Sequence, residues 1–453
     1  MLAELTAALP PDVVVTDAAR MDKYRFDRSG GDPARVGEPV AVVRAESSEH
    51  VQIALRWANR HRVPVITRGA GTGLSGGSTA MDGAIVLSTE RMRAVSIDVA
   101  TRTAVVQPGL LNAELKRAAA REGLWYPPDP SSFEICSIGG NVATNAGGLC
   151  CVKYGVTTDY VLALEVVLAD GTLMRLGGAR LKDSAGLSLT KLIVGSEGIL
   201  AVVTEATLRL MPAQPPVATA VASFPTAVAA TDAVLAITAS MRPAMLEFMD
   251  NPSINAVEDM FGMGLERAAG GLLVAQTDAD GHAGERELAA IIAAFEAHGA
   301  SEVFATTDPG ESEQFVAARR AVIPALERQG RLLLEDVGVS LPQLPRLVEQ
   351  IAAISASAGV LVAVVAHAGD GNTHPLIVFD PADPGQAAAA EVAFGQIMDL
   401  AVALGGTITG EHGVGRLKQP WLADQIGADA MELTRRIKHA FDPNGILNPG
   451  VIV

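Results

Sequence analysis

VPVITRGAGTGLSGGSTAMDGAIVLSTE, residues 63–90, decides how the N-terminal half folds. The run VPVIT over 63–67 is β-rich and ends at Arg68, where a glycine series begins. Gly71, Gly73 and Gly76 satisfy G-x-G-x-x-G, and Glu90 lies 19 positions after Gly71. That is the outline of a Rossmann dinucleotide site. The spacing that follows excludes it. Eight residues separate Gly76 from Ile85, where the next β-rich run is under way. A helix long enough to cross a sheet does not fit, so no helix N-terminus is present to hold a pyrophosphate. What remains is a loop of successive backbone N–H groups able to form an anion nest, with Arg68 adding charge.

Upstream, residues 40–43 form a strand, and Ser47 or Ser48 caps a helix with Val51, Ala54, Leu55 and Ala58 on one face. The strand resumed at 63–67 is then parallel to the first. Downstream, the pattern changes to short strands at 84–88, 95–99 and 103–107, a helix over 112–122, and a long Gly/Pro/Asn-rich stretch. Segments 161–168 and 172–175 flank Asp170-Gly171, a hairpin signal. The sequence MPAQPP at 211–216 is the expected domain boundary, because proline interrupts strand pairing. Beyond it, strands alternate with Ala/Leu-rich helices near 226–239, 283–298, 309–328, 342–358 and 384–404. The expected fold class is α+β, the second domain being an antiparallel sheet covered on one face by helices.

The composition narrows the function. The 453 residues carry 35 Lys and Arg against 51 Asp and Glu, a net charge of −16 that disfavours nucleic acid. Apolar residues make up 49% and mean hydropathy is +0.28, enough for a large core. Cys136, Cys150 and Cys151 are too few for a disulfide framework or for an Fe–S cluster held by this chain alone. No signal peptide is visible, and the apolar runs fall short of the roughly 20 residues that span a bilayer. A cytoplasmic protein is expected, docked at most on a membrane partner.

Two further small-residue loops, IGGNVATNAGG at 138–148 and VGSEGIL at 194–200, join the first. Asn141, Thr144 and Asn145 add hydrogen-bonding groups to the second. Three such loops on one domain suit a large, flat ligand with polar edges, in practice a dinucleotide. The second constellation is HAGDGNTH, residues 367–374. If Asp370-Gly371 is a two-residue turn, His367 and His374 face each other across the hairpin with Cβ atoms about 5 Å apart. Two imidazoles so placed can share a metal; the plainer reading is a pair of polar residues beside a turn. Glu411 completes a His₂Glu set of the kind that leaves positions open for substrate. The neighbouring His412 points elsewhere and is available as a base. Arg319 and Arg320 project about 100° apart on a helix, so one of them at most enters a pocket. Lys153 and Tyr154 face either the cofactor or solvent.

These residues together resemble the FAD-linked 2-hydroxyacid dehydrogenases of the vanillyl-alcohol oxidase/p-cresol methylhydroxylase superfamily. The nearest group is that of the glycolate oxidase FAD-binding catalytic subunit and the D-lactate dehydrogenases. The resemblance runs from about Pro39 to Pro449 and is carried by PVITRGAGTGLSGGS, PPDPSS, IGGNVATNAGG, VGSEGILAVVTEATLRL, HAGDGNTHPLIVFD, GEHGVGRLK and FDPNGILNPG. It implies an N-terminal arm (1–36), a two-lobed FAD-binding domain of the p-cresol methylhydroxylase type (37–212), a substrate or cap domain with a metal site (217–440), and a tail (441–453) that returns to the FAD-binding domain.

By the same resemblance, FAD contacts fall on Arg68, Gly69, Ala70, Gly71, Thr72, Gly73, Ser75, Gly76 and Gly77 of the first loop. They continue on Pro128, Asp129, Ile138, Gly139, Gly140, Asn141, Thr144, Asn145, Gly147 and Gly148, then Glu197, Gly198, Ile199, Val203 and Asn448. Relatives that bind FAD covalently use a histidine in or near the first loop; none is present, so FAD is expected to be noncovalent. His367, His374 and Glu411 match ligands of a divalent metal of the zinc type. His412 matches the catalytic base, and Arg319 matches a substrate-carboxylate anchor.

The implied substrate is a small 2-hydroxy acid, glycolate or D-lactate. The implied electron acceptor is a quinone, an electron-transfer protein or an Fe–S partner subunit, and homodimerisation stays open. Leu376 stands where dicarboxylate-oxidising relatives carry a polar residue, and LEDVGVSLP at 334–342 lacks a lysine found near it in some of them. Both departures weigh against a D-2-hydroxyglutarate dehydrogenase, which stays as an alternative. So do a zinc hydrolase and a non-redox FAD subunit of a larger complex.

Overall fold

The computed structural model describes residues 1–29 and 36–453; residues 30–35, in the expected N-terminal arm, lie outside the described residues. The chain divides into two units. The first holds 1–147, 156–213 and 411–453, and the second holds 148–155 and 214–410. The break at 213/214 falls inside the proline-rich boundary read from the sequence. Two segments change sides relative to that reading. Residues 411–440, assigned above to the substrate domain, cluster with the first unit, because Ile437 and Phe441 pack on its core. Residues 148–155 cluster with the second, where Val152 packs on Gly369 and Leu246.

In the first unit, Ala41–Arg44 and Val65–Arg68 both pair in parallel with Ile85–Ser88, and Val14–Val15 adds an antiparallel edge. Ser47 caps the helix Ser48–His61, accepting from the His50 N–H at 3.3 Å. The helix buries Val51, Ala54, Leu55, Trp57 and Ala58, the face expected with Trp57 added. No described helix lies between Val65–Arg68 and Ile85–Ser88, so the objection to a Rossmann site holds. A second, antiparallel sheet runs in the order Val95–Asp98, Thr103–Val106, Val202–Arg209, Val161–Val167, Leu173–Gly177. Asp170-Gly171 closes its last hairpin, with Gly171 at φ +82°.

The second unit is built on an eight-stranded antiparallel sheet. Its central strands are Gly271–Thr277, Met245–Asp250, Leu361–His367 and Asn372–Phe379, in that order. Helices Ala227–Ser240, Gly281–Ala297, Leu344–Ala358 and Pro384–Ala403 pack on one another and on the sheet. Asn251–Phe261 and Val322–Glu327 form a second helical group that also contacts the sheet. The helix expected over 309–328 is two helices, Pro309–Arg320 and Val322–Glu327. Pro324 explains the break, since it has no N–H to give the Arg320 carbonyl. No described helix is long and apolar enough to cross a membrane.

The tail returns to the first unit as expected. Val65 donates to the Ile446 carbonyl and Asn448 donates to the Val65 carbonyl, extending the parallel sheet. Asp442, 1% exposed, fixes the approach by accepting from the Ile446 and Leu447 N–H groups and from Lys438 Nζ at 2.6 Å. Lys438 also donates to the carbonyls of Ile199 and Leu447. Removing the carboxylate leaves a buried ammonium without its counter-charge. Asp442→Ala is therefore expected to cost about 3–5 kcal/mol, read as a lower urea midpoint at unchanged slope.

Candidate functional site

Within the first unit the three glycine loops are stitched together. Ser137 Oγ accepts from Ala70 N at 3.2 Å and Gly140 N at 3.4 Å, joining loop one to loop two. Gly195 N and Glu197 N donate to the carbonyls of Val142 and Ala143, joining loop two to loop three. Asn448 Nδ2 donates to the carbonyls of Gly77 and Glu197, at 2.9 and 2.7 Å, and so closes the ring from the tail. Close approach requires glycine at two of these places. A Cβ on Gly69 would lie 2.3 Å from Ser137 Oγ, and one on Gly139 would lie 2.5 Å from Pro108 Cβ.

The polar side chains expected to meet a cofactor are occupied by the protein itself. Arg68, 8% exposed, donates to the carbonyls of Phe26 and Lys23, bracing the arm, while its guanidinium lies against Gly71 of the first loop. Asn141 bonds Asn112 and the Cys136 sulfur, Thr144 back-bonds to Gly140 O, and Asn145 Oδ1 caps the Thr158 N–H. Pro128 is buried with its carbonyl on Asn112, and Asp129 is half-buried beside it. Ile199 is buried, Val203 lies on strand Val202–Arg209, and Gly198 sits against Thr67 and Asn448. Gly147 ends one segment of the first unit and Gly148 begins one of the second. Glycine-rich loops of this kind offer main-chain N–H groups to an anionic ligand.

Residues 411–418 are strapped to the first loop. Ser75 Oγ donates to the His412 carbonyl at 3.2 Å, and the Ser75 carbonyl accepts from Arg416 N and Leu417 N. Arg416 Nη1 donates to the carbonyls of Gly76 and Thr79. Glu197 clamps the turn, its two oxygens accepting from Val414 N and Gly415 N at 2.7 Å each. A Cβ on Gly413 would stand 2.8 Å from the Glu197 carboxyl carbon, and Gly413 is at φ +86°. His412 Nε2 lies 3.7 Å from Glu411 Oε1, closer than the diverging side chains expected.

Within the second unit the histidine pair forms, in a different register. The turn is four residues, 368–371, so His367 faces Asn372 and His374 faces Val365. The two-residue turn expected above is thus overturned by two places. A shift of two keeps both side chains on one face. His367 and His374 become diagonal neighbours, ring centroids 5.1 Å apart at 86°, and both are buried.

Across the sheet, Glu247 pairs with His367 and its Oε1 lies 2.8 Å from His367 Nδ1. Its Oε2 lies 2.9 Å from Arg319 Nε. Arg319 is 3% exposed, while Arg320 turns to Glu313, so one of the two enters the interior. His374 Nδ1 lies 3.4 Å from the Glu335 carbonyl and 3.7 Å from Asp336 Oδ1. Asp336 Oδ2 accepts from Thr409 Oγ1 and Gly410 N, and a Cβ on Gly410 would strike the Asn372 amide. Glu411 follows Gly410 by one peptide bond.

Sequence reasoning missed Glu247, Glu335 and Asp336. The signal for the last two was present: LLLEDVGV sets two acids inside an apolar strand, where carboxyl groups need partners. Lys153 and Tyr154 both bond Asp278.

Burial pushes Glu197 up to about 7 from 4.5, against the pull of its two N–H donors. The folded state therefore keeps its proton while the unfolded chain loses one. The contribution is whole below about pH 4.5 and is lost as pH rises to about 7, a span of about 3 kcal/mol. Glu197→Gln, which cannot titrate, should show a shallower fall of the urea midpoint between pH 5 and 7 (about the window of that shift).

Comparison with known proteins agrees with this layout. Residues 39–177 match the FAD binding domain model, and 213–452 match the model of the C-terminal domain of FAD linked oxidases. The chain is 39% identical over 430 residues to the glycolate oxidase subunit GlcD of Bacillus subtilis (strain 168), covering 94% of this chain and 91% of that one. It is 37% identical to a D-lactate dehydrogenase of Archaeoglobus fulgidus, covering 95% and 96%. In fold it matches p-cresol methylhydroxylase with substrate bound at a TM-score of 0.84 and 17% identity, covering 100% and 96%. The loops stitched for a nucleotide and the family models over both units lead to one conclusion: this chain belongs to the FAD-linked oxidases and is an FAD-dependent oxidoreductase.

Proposed function

We propose that the chain oxidises a small 2-hydroxy acid, of the glycolate or D-lactate type, to the 2-oxo acid. The observation that carries this reading is the buried face on which His367, His374, Glu247 and Arg319 meet in an FAD-linked oxidase. Glycolate and D-lactate, named in two relatives, are both 2-hydroxy acids. FAD is held noncovalently on the main chain of the three loops and supplies the hydride acceptor. Leu376, buried in the strand after His374, favours a monocarboxylate over a 2-hydroxyglutarate.

His367, His374 and Glu411 would hold a divalent metal of the zinc type, which would supply Lewis acidity at the site. The donor set fits: each imidazole is oriented through Nδ1, which leaves Nε2 for the ion. Arg319 pairs with the substrate carboxylate, and Glu247 holds its guanidinium in a buried ion pair. His412 takes the proton of the 2-hydroxyl. An electron acceptor outside this chain, a partner subunit, an electron-transfer protein or a quinone, completes the turnover.

Anaerobic addition of glycolate, D-lactate, L-lactate and D-2-hydroxyglutarate to the purified flavoprotein tests the reading. Bleaching of the oxidised flavin band by glycolate or D-lactate is expected. Bleaching by none of them overturns it and favours a non-redox FAD subunit; a colourless protein with bound zinc favours a hydrolase. His412→Ala should lower kcat about 10²–10⁴-fold and retain FAD, because Ser75 bonds the main-chain carbonyl and not the imidazole. Glu411→Gln should lose metal and activity together, by plasma mass spectrometry and flavin reduction.

A further inference from the structure

We propose that Glu247 is a positioning residue on which both halves of the substrate site are built, setting the His367 imidazole with one oxygen and the Arg319 guanidinium with the other. The proposal rests on the reading of His367 as a metal ligand and Arg319 as the carboxylate anchor.

Glu247 is 1% exposed and lies on strand Met245–Asp250, paired to Val274 on one side and to His367 on the other. Its main chain is therefore held by two neighbouring strands, and its side chain has little freedom to depart. An ionised carboxylate only accepts hydrogen bonds. With Oε1 at 2.8 Å from His367 Nδ1, the ring proton belongs on Nδ1, and Nε2 carries the lone pair. With Oε2 at 2.9 Å from Arg319 Nε, the guanidinium charge is held by an ion pair to the same group.

Both partners are buried to 3% exposure, so each contact acts with little competition from water. The two contacts use different oxygens, and neither displaces the other. The consequence is that metal affinity and substrate-carboxylate affinity share a residue that touches neither metal nor substrate.

Glutamine separates this role from plain packing. Glu247→Gln has the same shape but a single acceptor oxygen, and its amide N–H₂ opposes whichever N–H the oxygen does not serve. Either His367 must move its proton to Nε2, or Arg319 loses its hold.

The test uses FAD-loaded protein stripped of metal by a chelator. Zn²⁺ affinity is measured by competition with a chromophoric chelator, and kcat and KM for D-lactate and glycolate are measured separately at saturating Zn²⁺. Glu247→Gln is expected to bind Zn²⁺ about 10–100-fold more weakly than wild type and to raise KM more than it lowers kcat. FAD content and far-UV circular dichroism should stay at wild-type values. Should that variant fail to retain FAD, Glu247→Asp carries the test, since it keeps the charge but reaches one partner at a time. Wild-type Zn²⁺ affinity with unchanged KM, in either variant that retains FAD, overturns the proposal. A wild-type protein that binds no Zn²⁺ overturns the metal reading itself and the proposal with it.

Discussion

The antiparallel register of three strands is the constraint on which the second unit's chemistry depends. Met245–Asp250, Leu361–His367 and Asn372–Phe379 lie side by side, and the pairing Glu247 to His367 and Val365 to His374 places three polar side chains on one face. A slip of one residue would turn each of them to the opposite face. The turn at 368–371 helps to hold the register. Gly371 is at φ +83° and a Cβ there would meet the Val339 carbonyl at 2.2 Å, while Asp370 caps the Asn372 N–H. Asp250 reinforces it from the far end of its strand, accepting from Val364 N and capping the helix Asn251–Phe261. Side chains mounted on buried, doubly paired strands hold their geometry better than side chains on loops.

The first unit distributes the same task differently. Its side chains hold the glycine loops by their main chain. Ser137, Asn448 and Arg416 each bond backbone from distant parts of the sequence, so the glycine loops gain definition without side chains of their own. This explains why the loops are so poor in bulky residues and yet specific in shape. The same stitching carries the Glu411-His412 segment, since Ser75 and Glu197 fix the turn on either side of Gly413. The turn that carries His412 is thus registered to the glycine loops through main-chain contacts.

Much of this was legible because it was written in local chemistry. The missing helix after Gly76, the cap at Ser47, the Asp170-Gly171 hairpin and the histidines of one face all follow from spacing and from turn residues. The parts that were not legible depend on long-range pairing. Nothing near residue 247 announces that it will face residue 367, 120 positions later. The four-residue turn was hidden because Asp370-Gly371 also suits a two-residue one. Packing against Val339 chose between them, and that is a tertiary contact. The helix break at Pro324 was legible and was passed over. The transfer of 411–440 to the first unit was not, since it rests on one helix face docking into a core formed some 200 residues earlier (about the separation at which chain proximity carries no information).

Net charge completes the argument about the ligand. A chain of −16 must gather an anion against its own field. In the second unit's interior, the carboxyl groups of Glu247, Glu335 and Asp336 are buried together with one guanidinium, that of Arg319. Arg319 alone cannot make that region attractive to a carboxylate, because Glu247 already meets its charge. In the reading proposed above, a divalent cation on the two imidazoles would reverse the balance: it would satisfy the acids that orient the histidines and offer a positive centre to an incoming anion. On that reading the acidic lining and an anionic substrate are compatible, and Glu247, the acid beside Arg319, is the group that would link the proposed cation site to the proposed anion site.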